Sequence, residues 1–190
     1  QFMVDIGWAD GEVWRARNDA FYAQYQAGTL VLAEYVDFAT AVWRTRDPAE
    51  AQAAHQRFMR EVIEPMIRPT ALGLVRGHQA AGDVVAVVTA TNEFVTRPIA
   101  LAFGVDQLLA VELARGDNGR YTGAIRGTPT FREGKVSRVQ AWLADRGQAW
   151  SDFDEVLFYS DSTNDLPLLE FVSTPVATNP TPALAAIARE

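Results

Sequence analysis

The spacing of apolar residues changes once along the chain, and this change limits the folds open to it. Through residues 1–66 apolar and aromatic side chains recur every three or four positions, the spacing of helices that bury one face. Gly28 interrupts this pattern once, and Asp47 with Pro48 starts it again, as an N-cap and a first-turn proline do. The sequence therefore predicts a small antiparallel bundle, with helices over 12–25, from Leu32 onward, and from Pro48 to Ile63.

Beyond the proline-containing stretch 64–69, short apolar runs alternate with helical segments. The run VVAVVT at 84–89 is apolar throughout, which is typical of a strand buried on both faces. Further strands are predicted over 108–113, 121–125, 156–159 and 176–177, and further helices over 70–81, 92–103, 133–146, 166–171 and 182–189. This repeated β-α-β order predicts the α/β class, with a mainly parallel sheet and helices on both faces.

Composition narrows the classes of function. The 190 residues include 17 basic and 24 acidic side chains, a net charge of −7, which is opposite in sign to a typical nucleic-acid-binding surface. No apolar run reaches the roughly 18 residues of a membrane span. The absence of cysteine excludes disulfides, thiolate chemistry and cysteine-based zinc sites. We therefore expect a cytoplasmic protein whose partner is a small molecule, with no nucleic acid and no membrane.

Polar residues follow the first apolar run where a parallel sheet places its ligands, beyond the carboxyl ends of the strands. Thr89, Ala90, Thr91 and Asn92 end that run and open the next predicted helix. Hydroxyls and free backbone N–H groups at a helix start suit phosphate oxygens. An ordinary helix cap explains the same residues, so both interpretations stay open.

A second polar cluster follows the strand predicted at 156–159. Asp161 and Asp165 lie four positions apart, where two carboxylates repel each other unless a cation offsets them. A hard cation such as Mg²⁺ takes oxygen ligands and is often held by one or two carboxylates and a phosphate. Asp161 acting only as a helix cap is the alternative. Lys135, at the start of the helix predicted at 133–146, is by itself better explained as a solvated surface lysine.

Taken in chain order, these residues resemble a known set of motifs. The segments VVTATN, REGKVSRVQAWL and FYSDSTNDLPLLE are similar to motifs two, three and four of the haloacid dehalogenase superfamily. The match is to its phosphoserine-phosphatase-like and histidinol-phosphatase-like branch. The resemblance implies a Rossmann-like α/β core, residues 67–190, beneath an inserted helical cap, residues 1–66. It also implies magnesium-dependent hydrolysis of a small soluble phosphate ester, with phosphoserine and histidinol phosphate as leading candidates.

The resemblance also implies a role for each motif residue. Thr89 and the backbone of Ala90, Thr91 and Asn92 would hold phosphoryl oxygens. Lys135 would offset the charge of phosphate and nucleophile, and Asn164 would donate to phosphate. Asp161 and Asp165 would form the magnesium site, where Asp165 would orient either Lys135 or metal-bound water.

The first motif of that family, an Asp-x-Asp pair that supplies the nucleophile, is not found before Thr89. Asp5 is followed by Ile6 and Gly7, and Asp10 by Gly11 and Glu12. We therefore expect the core to lack its first strand, the nucleophile of an aspartyl-phosphate mechanism to lie outside this chain, and these residues alone to be inactive. A catalytically inactive phosphate-binding or regulatory homologue and a phosphotransferase remain alternatives.

Overall fold

The computed structural model describes residues 1–189, of which the first third is helical. Its helices are α1 (Phe2–Asp5), α2 (Gly11–Gln26), α3 (Leu32–Arg44) and α4 (Pro48–Phe58), and α4 continues through a π-helical turn (Met59–Ile63) into α5 (Glu64–Met66). The Asp10 carboxylate caps α2 by accepting from the backbone N–H groups of Glu12 and Val13. No helix in residues 1–189 is both long and apolar enough to cross a membrane. The predicted helices of this part are confirmed, whereas the short α1 was not foreseen.

The remainder alternates strands and helices, as the apolar runs predicted. In chain order its elements are α6 (Pro69–Ala81), β1 (Ala86–Asn92), α7 (Glu93–Ala102), β2 (Gln107–Arg115), β3 (Tyr121–Arg126), α8 (Glu133–Asp145), β4 (Leu157–Ser160), α9 (Leu166–Leu169), β5 (Thr174–Ala177) and α10 (Pro182–Ile187). Single 3₁₀ turns precede β4 and α9. The α/β class is therefore confirmed.

The strands form two hydrogen-bonded groups. β1 pairs in parallel with β2, which pairs antiparallel with β3, while β4 pairs in parallel with β5. β1 runs farther than expected, because Asn92 still pairs with Val111 of β2 after an irregular stretch that begins beyond Val88. The helix predicted to be capped by Thr91 or Asn92 is capped by Asn92 and begins at Glu93.

An apolar slot separates the two groups of strands. It has a volume of approximately 820 Å³ and is lined by residues 84–89 along β1 and 153–159 along β4. Leu74 of α6 and Ile99 of α7 are among the apolar side chains that line it. Within residues 1–189 no strand pairing joins β1 to β4, so the facing edges of these two parallel strands are open.

The main hydrophobic cluster crosses the boundary expected at residue 66. Trp43 of α3 is 3% exposed, and its ring stacks on Phe94 of α7 with 4.2 Å between centroids. The same ring meets the edge of Tyr121 on β3 at 5.4 Å, and Val111 and Leu113 of β2 belong to the same cluster. α3 is therefore anchored on the β2–β3 hairpin, and the cap and the core share one packed interior here.

Candidate active site

The ends of β1 and β4 open beneath the cap into a cavity of approximately 440 Å³. From the core, the predicted residues that line it are Thr89, Ala90, Thr91, Lys135, Asp161 and Asp165. From the cap, α2 and α3 supply most of the opposite wall. The structure thus brings six of the predicted site residues to one cavity, while Asn92 and Asn164 lie outside its lining.

Lys135 and Asp165 form a buried ion pair at the floor of this cavity. The Lys135 Nζ lies 2.6 Å from Asp165 Oδ1 and also donates to the backbone oxygen of Val88 at 3.4 Å. The second oxygen of the carboxylate accepts from the hydroxyl of Ser160 at 2.7 Å. Lys135 is 5% and Asp165 is 9% exposed. Burial of two charges is favourable only when both are paired and hydrogen-bonded, so this pair is fixed in place.

Lys135 is also the only lysine in the chain, since every other strongly basic residue is arginine. A compact ammonium offers a point charge that a planar guanidinium cannot reproduce in a small site. A single lysine in a chain whose other strongly basic residues are all arginine indicates that this position requires an ammonium group. This signal favours a buried position for Lys135 over a solvated one. The surface alternative for Lys135 does not hold.

Asp161 differs from Asp165 in its surroundings. Its backbone oxygen accepts from the N–H of Thr181 at 2.9 Å, which fixes the loop after β4. Its carboxylate lines the cavity and is exposed, and among residues 1–189 it makes no hydrogen bond or ion pair. This carboxylate is therefore open to a ligand, whereas both oxygens of Asp165 are engaged.

The loop after β1 is shaped by its own hydroxyls. The Thr89 hydroxyl oxygen accepts from the N–H of Thr91 at 3.1 Å, so this stretch curves at the cavity before the helix begins. Asn92 is buried and caps α7, since its side-chain oxygen accepts from Val95 N at 3.2 Å. The helix-cap alternative thus describes Asn92, while Thr89 to Thr91 face the cavity as an irregular strand end.

Asn164 contacts the cap. Its amide nitrogen donates to the backbone oxygen of Tyr25 at 3.0 Å, and its amide oxygen accepts from Arg132 Nε at 3.2 Å. Arg132 Nη2 donates to the backbone oxygen of Gly28. Sequence reasoning missed Arg132, because its partners lie 32 and 104 positions away and nothing local marks it. The predicted contact of Asn164 with phosphate stays a prediction.

Several of the residues that line the cavity are aromatic, and most of these rings belong to the cap. The rings include those of Phe21, Tyr22, Tyr25, Tyr35 and Phe131. Burial raises the pKa of Tyr35 above its ordinary value of 10.0, so its hydroxyl stays protonated. Among the described residues that line the cavity, the cap contributes no charged side chain, and Asn18 supplies its one amide.

The donor set fits a magnesium ion only in part. No group of at least three histidine, cysteine, aspartate or glutamate side chains in the described chain could hold a metal. Asp161 offers one open carboxylate of the kind that Mg²⁺ prefers. Asp165 is committed to Lys135 and Ser160, so it does not fit as a second ligand in this arrangement.

Comparison with known proteins identifies a family model and relatives that this chain resembles. A family model described as haloacid dehalogenase-like hydrolase matches residues 1–170. A protein of Neisseria meningitidis serogroup C named histidinol-phosphatase is 40% identical over 190 residues, which are 100% of this chain and 86% of that protein. More distant curated relatives, 30–32% identical, are matched over only 44–49% of their own length.

Two solved structures resemble this chain over most of its length. The structure of a protein of unknown function from Bordetella pertussis has a TM-score of 0.91 and 50% identity, over 99% of this chain and 84% of that one. A phospho-aspartyl intermediate analogue of phosphoserine phosphatase has a TM-score of 0.61 over 88% of this chain and 75% of that one. At 20% identity the second likeness shows the fold alone.

Fold and site together define a class: a Rossmann-like α/β hydrolase core whose sheet edge carries a charged cluster under a helical cap. The chain belongs to the haloacid dehalogenase-like hydrolase family. Within that family it stands with the phosphatases.

Proposed function

We propose that this chain is the cap and most of the core of a magnesium-dependent phosphomonoester hydrolase for a small soluble ester. The reaction passes through an aspartyl phosphate whose nucleophile lies outside these 190 residues. One observation carries the proposal: a buried lysine–carboxylate pair, a threonine hydroxyl and an open carboxylate meet at a single cavity beneath the cap. Lys135 and Thr89 offer hydrogen-bond donors to a dianionic phosphoryl group, and the open carboxylate offers a ligand to a cation that would offset its charge.

Lys135 and Thr89 act on the phosphoryl group. The ammonium of Lys135 is held by Asp165 at 2.6 Å, so it needs no reorganisation when charge develops on the phosphoryl oxygens. The Thr89 hydroxyl and the backbone N–H groups that follow it supply neutral donors at the same end of the cavity. In a site that excludes water these interactions are stronger than in solution. Removal of one such group typically lowers turnover by about 100- to 1,000-fold.

Asp161 is the residue of this chain that would hold the magnesium ion. A bound Mg²⁺ neutralises phosphate charge and orients the ester for attack. Asp165 acts on Lys135 instead, which corresponds to the first of the two roles expected for it. A carboxylate on the segment that supplies the nucleophile would serve as a second ligand, so one segment outside these residues would complete both the metal site and the nucleophile.

The slot between β1 and β4 supports a position between these two strands for the segment that would supply the nucleophile. Among the described residues that line the cavity, Asp161 and Asp165 are the carboxylates. Both oxygens of Asp165 are engaged by Lys135 and Ser160, and Asp161 is the residue proposed to hold the magnesium ion, so the nucleophile is assigned to another segment. Both edges of the slot belong to parallel strands whose carboxyl ends lie at the cavity. A strand that pairs with β1 and β4 in the same direction would deliver the residue at its carboxyl end to Thr89 and Asp161.

The cap side of the cavity supports one of the two candidate esters over the other. Phosphoserine and histidinol phosphate both carry an ammonium beside the ester, but only phosphoserine also carries a carboxylate, whose burial requires a positive charge nearby. The described cap residues at the cavity offer aromatic rings and the Asn18 amide. A flat heteroaromatic ring, as in histidinol phosphate, stacks on such walls without a charged partner for a carboxylate. Histidinol phosphate is therefore the leading candidate, in line with the name of the Neisseria relative.

The test compares this chain with the same chain extended toward its N-terminus by the residues that its gene encodes there. The extended protein is expected to release phosphate from histidinol phosphate in the presence of Mg²⁺, faster than from phosphoserine, and the 190-residue chain is expected to release none. Asp161→Asn and Lys135→Ala should abolish most turnover, whereas Arg97→Gln, far along α7, should not.

Two outcomes would contradict the proposal. An extended protein without an Asp-x-Asp pair and without turnover would be a phosphate-binding or regulatory homologue. If an added acceptor alcohol captured most of the phosphoryl group in place of water, the protein would be a phosphotransferase.

A further inference from the structure

The cap helix α2 is held less firmly than its neighbour α3. Phe21 is the one buried residue of α2, and its ring packs on Phe38 and Tyr35 of α3 with centroids 5.3 and 5.6 Å apart. The less buried Trp14 of α2 also stacks on Phe38, with 4.1 Å between centroids. α3 buries five residues and rests on the β2–β3 hairpin. α2 therefore depends more on polar contacts to keep its place over the cavity.

Those polar contacts gather at the carboxyl end of α2, in a group that we call the α2 latch: Tyr25, Gly28, Arg132, Ser162 and Asn164. Arg132 donates to the Gly28 carbonyl and to Asn164, and Asn164 donates to the Tyr25 carbonyl at 3.0 Å. The Tyr25 hydroxyl and the Ser162 hydroxyl are 2.8 Å apart. Residues of the core thus hydrogen-bond to the last turn of α2 and to the residues just after it.

The chemistry of the latch is specific to these residue types. The last carbonyls of a helix lack partners in the next turn of the helix, and the Asn164 amide donates to one of them, that of Tyr25. The guanidinium of Arg132 donates to the Gly28 carbonyl just beyond the end of α2. A Cβ at Gly28, whose φ is +70°, would lie 3.0 Å from Arg132 Nη2, so glycine permits the approach. Arg132 itself has a φ of +50°, a strained value that persists only when surrounding contacts hold it.

The latch is continuous with the ion pair at the floor of the cavity. The backbone oxygen of Arg132 accepts from Lys135 N at 2.9 Å, and that of Ser162 accepts from Asp165 N at 3.1 Å. Asn164 directly precedes Asp165. The residues that hold α2 are therefore bonded, through the main chain, to the two residues that form the pair.

We propose that Arg132 is a positioning residue that couples closure of α2 to the placement of Lys135 against Asp165. With α2 closed, Arg132 and Asn164 are both engaged, and the starts of α8 and of the turn before α9 are fixed. With α2 open, Arg132 loses the Gly28 carbonyl and the strain at its backbone is no longer opposed. The consequence for turnover rests on the proposed function; the coupling itself does not.

The chain has a single lysine, Lys135. Labelling lysine with ¹⁵N at Nζ therefore gives one side-chain nitrogen NMR signal, that of Lys135. The experiment records this signal and the hydrogen exchange of the amides at 24–31 in the 190-residue chain, in Arg132→Gln and in Tyr25→Phe. Arg97→Gln is the matched control, because Arg97 also donates to a backbone carbonyl, that of Asp106 at 3.0 Å, but lies outside the latch.

Arg132→Gln is expected to speed exchange at 24–31 about tenfold, as loss of a charged hydrogen bond implies, and to shift the Lys135 signal. Tyr25→Phe should change the exchange rate and the Lys135 signal in the same direction as Arg132→Gln, but by less. Arg97→Gln should change neither the exchange rate nor the Lys135 signal. Faster exchange with an unchanged Lys135 signal would overturn the coupling. Unchanged exchange in Arg132→Gln would overturn the latch.

A separate titration with inorganic phosphate and Mg²⁺ keeps this inference distinct from the proposed function. If the extended protein binds no phosphate in the presence of Mg²⁺, the assignment of the cavity fails, while the two latch readouts still decide the coupling. If phosphate binds and the latch readouts do not respond to Arg132→Gln, the coupling alone fails.

Discussion

Lys135 is held by a carboxylate at 2.6 Å and by the Val88 carbonyl, and it lies 5.7 Å from the centre of the Phe158 ring. These surroundings fit a slender side chain that ends in a point charge. A guanidinium is wider and flat, so it needs a different set of partners. The identity of this residue therefore follows from geometry as well as from charge.

Lys135→Arg is accordingly expected to behave like a deletion, although it preserves the charge. In the extended protein we expect kcat to fall by about 100-fold or more, and the midpoint of thermal unfolding to fall as well, because a wider guanidinium overpacks this buried site. Steady-state kinetics and calorimetry measure the two quantities. Arg97→Lys makes the reverse exchange at the surface and should leave both unchanged. Wild-type turnover in Lys135→Arg would show that charge alone matters.

His55 predicts a pH dependence of stability. It is 7% exposed between Phe58 and Phe94, and burial lowers the pKa of His55 below its ordinary value of 6.5. The unfolded chain therefore binds a proton more readily than the folded chain. The stability that neutral His55 contributes is complete above the unfolded value and is lost as pH falls through the lower, folded one.

Urea unfolding from about pH 7.5 to about pH 5 measures this effect, because the slope of stability against pH counts bound protons. His55→Gln should be less stable at neutral pH but should lose less on acidification. His78→Gln removes the other histidine and is the control. Parallel slopes for wild type and His55→Gln would contradict the assignment.

At the scale of elements, two helical glycines should respond oppositely to alanine. A Cβ on Gly134, at the start of α8, would lie 2.1 Å from the Pro129 carbonyl oxygen, whereas one on Gly77 in α6 would meet nothing within 4 Å. Gly134→Ala should lower the free energy of unfolding by about 1–3 kcal/mol through overpacking. Gly77→Ala should raise it by about 0.5–1 kcal/mol through helix propensity. Denaturant titration gives both values.

Most elements were predictable because their signals are local. Asp47 with Pro48 marked the start of α4, and periodic apolar residues marked α2 and α3. The end of β1 was not predictable, because Asn92 stays in the strand through its pairing with Val111 in β2. Pairing between distant segments has no local signature.

The candidate site shows the same division. Thr89, Lys135, Asp161 and Asp165 could be proposed because each follows a recognisable strand or begins a helix, and together they match an ordered motif set. The latch could not be proposed, since Arg132 meets Gly28 across 104 positions. The sequence also does not show that both carboxylate oxygens of Asp165 contact Lys135 and Ser160, while the carboxylate of Asp161 remains available to a ligand.

At the scale of the molecule, the shared packing of cap and core limits which part can be exchanged. α3 is fixed to the β2–β3 hairpin through Trp43 and Tyr121. We expect that replacing residues 11–31 of the extended protein with a relative's segment changes the preferred ester and preserves stability. Replacing residues 1–66 should lower the unfolding midpoint, because the new α3 would meet an unmatched hairpin. If the shorter exchange leaves the ester preference unchanged, α2 does not select the substrate.

The slot between β1 and β4 bears on how the protein behaves at high concentration. Two parallel strand edges with free backbone donors and acceptors, set in an apolar wall, are a template for any extended chain. While those edges stay open, a second molecule is the nearest source of such a chain. Solubility, and not only turnover, is therefore expected to rise when a strand occupies the slot.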